Sequence, residues 1–383
     1  MKVIEYLKTY NETLNKDNLN DADLAVFAQI SYFRLDKFFE NKKEFTFSSH
    51  ATLNDLNYMT SPNLEAKKSL KLATYLVINK RFKDVEITNY HPVFSTKNSI
   101  QYASMIFKIT NDLYVIAFRG TDISINGWYE SLMLSYSDSI PSHIEGLNYL
   151  KEVLTLIPSS ARIYITGHSK GGNIAQWSFL HLNENEQKRI YKVYNFEGPG
   201  NREEYSKFSN YKLSLKKIKK FVTSDSIIGI LLFDNQNFKV IKASGNNGVT
   251  QHSIFSWEIS KTTHSLVLVD FLSKSAIALS LAIDKWLSEY SPSQTKGLID
   301  SLFTFLTSCG IMTQKDFTSN FSKKARNMFN KYQKANSKEK NEFSKSINTL
   351  LKYFLAFRFT SYTKLKELYK KEPTLFSRIS SNK

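Results

Sequence analysis

Arg162-Ile-Tyr-Ile-Thr-Gly167-His168-Ser169-Lys170-Gly171-Gly172-Asn173-Ile-Ala-Gln-Trp177 is the stretch whose reading decides the fold. An apolar, β-branched run from Ile163 to Thr166 ends at Gly-x-Ser-x-Gly, and a helix-like segment follows at once. That order predicts a strand, a sharp turn and a helix. A serine in such a turn has a strained backbone, and only small neighbours let the strand and the helix approach it. Gly167 and Gly171 supply that room. The helix N-terminus behind Ser169 turns its unpaired N–H groups toward any anion formed there. Any glycine-rich turn can produce Gly-x-Ser-x-Gly; the strand before it and the helix after it make Ser169 a candidate nucleophile.

Outward from this turn, strand-like and helix-like segments alternate. Asn20 caps a helical pattern, with Asp23 three residues on, and a second helix is expected from Ser61-Pro62 to about Asn79. Val85 to His91 alternates like a strand. Ile100–Ile109 and Leu113–Phe118 are β-rich runs separated by Thr110-Asn-Asp112, a hairpin pattern. Asn126–Tyr136 and Ile144–Leu156 have helical spacing and lead into the central strand. Beyond the turn, strands are expected at Ile190–Phe196, Ile218–Thr223 and Phe238–Ala243, the last of the series, while the run beginning at His264 looks like a packed helix. The alternation predicts an α/β domain with a mainly parallel sheet flanked by helices.

From about Ser291 the character changes. Strand-like runs stop, glycine disappears after Gly310, and lysine-rich amphipathic patterns take over. The expected division is residues 1–290 as the α/β domain and residues 291–383 as a basic, helical C-terminal appendage. The chain's 383 residues carry a net charge of +17. Residues 291–383 hold 18 Lys/Arg against 6 Asp/Glu, so +12 lies in the last quarter. Such asymmetry points to an anionic membrane surface or to nothing more than a solvated face; without a reader motif, nucleic acid is not expected. The apolar tail positions Phe329, Tyr332, Phe343, Tyr353, Phe354 and Phe357 would then either sink into a membrane interface or pack on the α/β domain.

The single cysteine, Cys309, excludes an internal disulfide framework and a cysteine metal cluster, and reads as a small buried hydrophobe. The charged N-terminus does not read as a signal peptide. No run reaches the roughly 18 uncharged apolar residues of a membrane span. A cytoplasmic protein is expected, and the oligomeric state is left open.

A nucleophilic serine needs a base, an acid that orients the base, and two N–H donors for the oxyanion. In the strand order Ser, Asp/Glu, His, each group stands just past a strand end. His252 follows the last expected strand in a Gly/Asn-rich loop and is favoured over His264 as base. Asp225 ends the preceding strand and is favoured as acid over Glu197, which ends the strand before that. The N–H of Lys170 is the first expected oxyanion donor. Thr121, in Phe118-Arg-Gly-Thr-Asp122, could supply the second through its N–H or hydroxyl. Arg119 is expected in a structural ion pair, and His168 as a packed histidine.

In combination, Ala117-Phe-Arg-Gly-Thr121 and Ile165-Thr-Gly-His-Ser-Lys-Gly-Gly-Asn173 resemble the class 3 lipase pattern. They are more similar still to a bacterial family of uncharacterised α/β hydrolases related to those lipases. That family shares Gly127-Trp-Tyr-Glu130, Phe196-Glu-Gly-Pro-Gly200, Asp225 to Gly229, and Gln251-His-x-x-Phe-x-Trp257. The resemblance covers roughly Asn20 to Tyr290. It implies an α/β-hydrolase fold and a triad of Ser169, Asp225 and His252, with Thr121 and Lys170 at the oxyanion hole. Class 3 lipases carry their acid directly before an Ile-Val pair, and here Ser226 holds that register. The implied activity is hydrolysis of a small-molecule or lipid ester, with no cofactor and no metal. The rival readings are a catalytically silent scaffold that acts by binding, or a thioester or amide substrate for the same triad.

Overall fold

The computed structural model describes residues 1–49, 52–61, 63, 65–202, 211–232, 238–245, 247–313, 316 and 337–371. Nine strands form one sheet whose spatial order follows the chain: β1 (Glu44–Phe45), β2 (Glu86–Ser95), β3 (Ile100–Thr110), β4 (Leu113–Phe118), β5 (Arg162–His168), β6 (Ile190–Phe196), β7 (Ile218–Thr223), β8 (Phe238–Ile241) and β9 (Leu268–Val269). β4 to β8 run parallel, and the flanking pairs are antiparallel. This is the expected α/β class: a mainly parallel sheet with helices on its faces. The residues of β4 are all buried, which is why it reads as an unbroken apolar run rather than as an alternation.

Three expectations are corrected. The strand Phe238–Ile241 is not the last, because β9 adds to it in antiparallel register, Val240 opposite Val269. The run after His264 is therefore an edge strand and its approach, not a helix. Its apolar run is too short for periodicity to separate the two. The helix expected from Ser61 begins at Ala66 and ends at Ile78, and a separate helix, Leu53–Thr60, precedes it. Pro62 lies outside the described residues.

The helix Asp21–Ile30 starts as its sequence predicts: Asn20 Oδ1 accepts from Ala22 N and Asp23 N, and Asp23 Oδ2 accepts from Asn20 N at 2.9 Å. Asp23 does double duty. Fully buried, it also takes the Arg81 guanidinium at 2.6 Å from both Nε and Nη2, and the Tyr6 hydroxyl at 2.7 Å. This buried pair pins the N-terminal segment under the parallel strands.

Apolar contacts continue past residue 290. Ile299, Phe303 and Leu306 of the helix Pro292–Ser308 pack with Ile125, Trp128 and Tyr129 of the helix Ile125–Met133, and Tyr129 donates to Asp300 at 2.6 Å. Cys309 is buried in that same cluster. Farther on, the helices Ser337–Phe359 and Tyr362–Lys371 lie against the helix Lys274–Leu287 through Phe354, Phe357, Leu365 and Leu368. Lys323, Lys324, Arg326, Phe329, Lys331, Tyr332 and Lys334 lie outside the described residues. Among the described residues, no helix is long and apolar enough to cross a membrane.

Candidate active site

β5 ends at His168 and the next helix, Lys170–Leu180, begins two residues later, so Ser169 alone makes the turn. Its backbone pays in strain, with φ 57° and ψ −132° in a region that non-glycine residues rarely occupy. The glycines on either side are needed sterically. A Cβ on Gly167 would stand 2.2 Å from Gly171 O, and one on Gly171 would stand 2.2 Å from Phe118 O. The same close approach seats the end of β4, and with it the Gly120–Thr121 loop, against the first turn of the helix. Ser169 N donates to Phe196 O at 2.9 Å, tying the turn to the end of β6.

The residue after Phe196 is Glu197, fully buried and also left-handed, with φ 54°. Its Oε1 accepts from Thr223 N at 2.5 Å and Thr223 Oγ1 at 3.2 Å. Its Oε2 accepts from Ser226 Oγ at 3.1 Å and lies 2.9 Å from His252 Nδ1. A carboxylate only accepts, so Nδ1 carries the proton and Nε2 is left as the basic nitrogen. Among the described residues no hydrogen bond forms between Nε2 and Ser169 Oγ, a link that often tightens only with substrate.

The carboxylate that meets His252 is thus Glu197, and the expectation for Asp225 is corrected on this geometry. Asp225 Oδ2 accepts from Gln251 Nε2 at 2.8 Å, and its N–H donates to Gln251 Oε1 at 3.0 Å. It fastens the turn after β7 to the residue before His252 instead of touching the imidazole. Ser226, in the register where class 3 lipases carry their acid, hydrogen-bonds the Glu197 carboxylate that arrives from the neighbouring strand. His252 itself ends a short helix, Gly248–His252, capped by Asn247, and its side chain is partly exposed.

His264 is remote in role from this group: it stacks on Tyr10, with ring centroids 3.8 Å apart. His168 is the packed histidine expected. Its Nε2 lies 2.8 Å from His252 O, which can only accept, so Nδ1 accepts the Tyr32 hydroxyl at 2.9 Å. Burial, reinforced by the neighbouring His252, holds its pKa well below the ordinary imidazole value. It stays neutral and braces the backbone of His252.

Of the two expected oxyanion donors, Lys170 N lies at the helix N-terminus, where the first-turn N–H groups have no helical partner. Thr121 Oγ1 lies 2.6 Å from Ser131 Oγ, whose own proton goes to Gly127 O. The threonine hydroxyl is therefore spent as a donor, which leaves the backbone N–H of that loop. Arg119 is structural, as expected, but among the described residues it forms no ion pair. It donates to Ser31 O at 2.6 Å and Phe33 O at 2.7 Å, anchoring the loop to the end of the helix Asp21–Ile30. A cavity of about 290 Å³ opens beside Thr121, with Tyr32, Arg34, Phe94, Tyr102 and Ile123 in its wall. Neither Ser169 nor His252 lines it.

A model of the Mbeg1-like family matches residues 76–304, a span that contains Ser169, Glu197, Asp225 and His252. The chain belongs to the Mbeg1-like family. Among curated proteins, none matches it. Among solved structures, this Mbeg1-like chain is similar to a mutant form of MDLA from Penicillium cyclopium, at 14% identity over 66% of this chain and 87% of that one, with a TM-score of 0.36. It is likewise similar to lipase II from Rhizopus niveus, at 15% identity over 67% of this chain and 87% of that one, again with a TM-score of 0.36.

Proposed function

We propose that the protein is a serine hydrolase that cleaves a carboxylic ester through an acyl-enzyme on Ser169. His252 Nε2 takes the serine proton as Oγ attacks the carbonyl carbon, and later returns it to the departing alcohol. Glu197 holds the imidazole in the Nδ1–H tautomer and offsets the charge it gains. The N–H of Lys170 and that of the Gly120–Thr121 loop face the developing oxyanion. The observation that carries this reading is the Glu197–His252 bond beside a left-handed Ser169 at the same end of the sheet. Thioesters fall within reach of the same chemistry. Turnover of short p-nitrophenyl esters tests it: His252→Ala should cost nearly as much as loss of the serine, on the order of 10⁶ in kcat, because the two act as one unit. Wild-type turnover that survives this change in a folded protein would defeat the proposal.

One observation favours a second role, contact with an anionic lipid surface. Phe354, Phe357, Leu365 and Leu368 of the tail pack on the helix Lys274–Leu287, but Leu351, Leu355 and Phe359 recur every fourth residue and face solvent, Phe359 being 82% exposed. Lys352 and Arg358 flank that row and are exposed. Each cation near such a surface contributes about 1 kcal/mol. The full chain should co-sediment with phosphatidylserine-containing vesicles and not with neutral ones. Leu351→Glu, Leu355→Glu and Phe359→Glu together should abolish it; unchanged pelleting of that variant, or none by the wild type, would remove the membrane role.

A further inference from the structure

The side chain of Lys170 points away from the site, into the protein. Its Nζ is buried and makes three contacts: Glu130 Oε2 at 2.5 Å, Gln101 O at 2.5 Å and Gln101 Oε1 at 3.1 Å. Glu130 is just as deeply buried and accepts from Gln101 N at 3.0 Å and Ser142 N at 2.8 Å. Charges so placed persist only when each has partners, and all three ammonium protons have one here. A lysine could satisfy those needs anywhere; what matters is where this one leads. The Gln101 carboxamide that receives Lys170 also grips the neighbouring loop from both sides: its Oε1 accepts from Asp122 N at 3.1 Å, and its Nε2 donates to Gly120 O at 3.3 Å.

We propose that Lys170, Glu130 and Gln101 are positioning residues that set the oxyanion hole. The first donor is the backbone N–H of Lys170, and the second comes from the Gly120–Thr121 loop. The side chain of Lys170 reaches Gln101, and Gln101 holds that same loop on either side of Thr121. One buried tie therefore links the two donors through the protein interior, on the side opposite the substrate. The close approach of Gly171 to Phe118 O brings the loop and the helix together, and the buried tie fixes their spacing from behind; a misplacement near 1 Å can cost about 10² in rate. Any residue but proline at position 170 supplies the backbone donor; lysine supplies the spacing. This inference rests on the reading of Ser169 as nucleophile.

Two variants test it. Lys170→Met with Glu130→Gln removes the ion pair without leaving a buried charge unpaired, and Gln101→Leu cuts the link at the loop while leaving the pair in place. Active sites are titrated with a fluorophosphonate, and ester turnover is expressed per titrated site. Both variants should lose 10- to 100-fold in kcat with KM within about threefold of wild type, since the donors act on the transition state rather than on ground-state binding. Amide exchange at Asp122 should quicken in both. A purely structural tie would lower the titre or the Tm but leave kcat per site within twofold, which overturns the proposal. Unchanged exchange at Asp122 in a folded Gln101→Leu protein overturns the tie itself. A wild type that neither titrates nor turns over ester brings down the serine-hydrolase reading instead, and the exchange result still decides whether the tie holds the loop.

Discussion

Ser169→Ala should lower kcat for a short p-nitrophenyl ester by about 10⁶, to the background set by binding and the oxyanion donors alone. The fold should persist, because the serine's structural duties are carried by its backbone. Its N–H donates to Phe196 O, and its carbonyl accepts from Gly172 N at 2.9 Å and Asn173 N at 3.2 Å, none of which needs the hydroxyl. Alanine must still adopt φ near 57°, so a modest loss of thermal stability is expected alongside the catalytic one. Circular dichroism with a thermal melt separates the two effects. An inactive protein that has also lost its cooperative melt would say nothing about the hydroxyl, whereas a folded variant that retains turnover would remove Ser169 from the chemistry.

The second large effect divides the carboxylates. Glu197→Gln should cost about 10⁴ in kcat, because an amide beside Nδ1 no longer requires a proton there and no longer offsets imidazolium charge. Its neighbours suffer too: Thr223 N and Ser226 Oγ donate to the same carboxylate, and the amide can accept only through one of its two ends. Asp225→Asn should cost no more than about tenfold. Its carboxylate meets Gln251 rather than His252, so the change loosens the turn beside the base and leaves the tautomer alone. Steady-state kinetics of the two variants, measured side by side, provide the check. A larger loss at Asp225 would return the acid to the strand that sequence order favours.

That reversal shows where the residues were legible and where they were not. The turn at Ser169 could be read because sterics force glycine at fixed offsets, and the β3–β4 hairpin because Thr110-Asn-Asp112 breaks two β-rich runs. The carboxylate that meets His252 could not be ranked by strand order, because Glu197 reaches its place from β6 while Asp225 is turned aside by Gln251. A signal was present in Ser226, a residue unable to serve as an acid in the register that the lipase resemblance assigns to one; the carboxylate had to come from elsewhere, and Glu197 stood at the end of the adjacent strand. β9 was missed for a different reason, since two residues at a sheet edge leave no period to detect. The inward course of the Lys170 side chain was also hidden. Lysine is among the residues least often buried, and its partners Glu130 and Gln101 lie 40 and 69 positions away in the chain.

The central claim is that Ser169 is an activated nucleophile, and covalent labelling tests it most directly. Incubation with a fluorophosphonate probe, followed by tryptic digestion and mass spectrometry, should find the adduct on the peptide that contains Ser169. Ser169→Ala should take up no probe, and Glu197→Gln should label far more slowly than the wild type. Absence of labelling in the folded wild type, or an adduct at another serine that survives Ser169→Ala, would contradict the account.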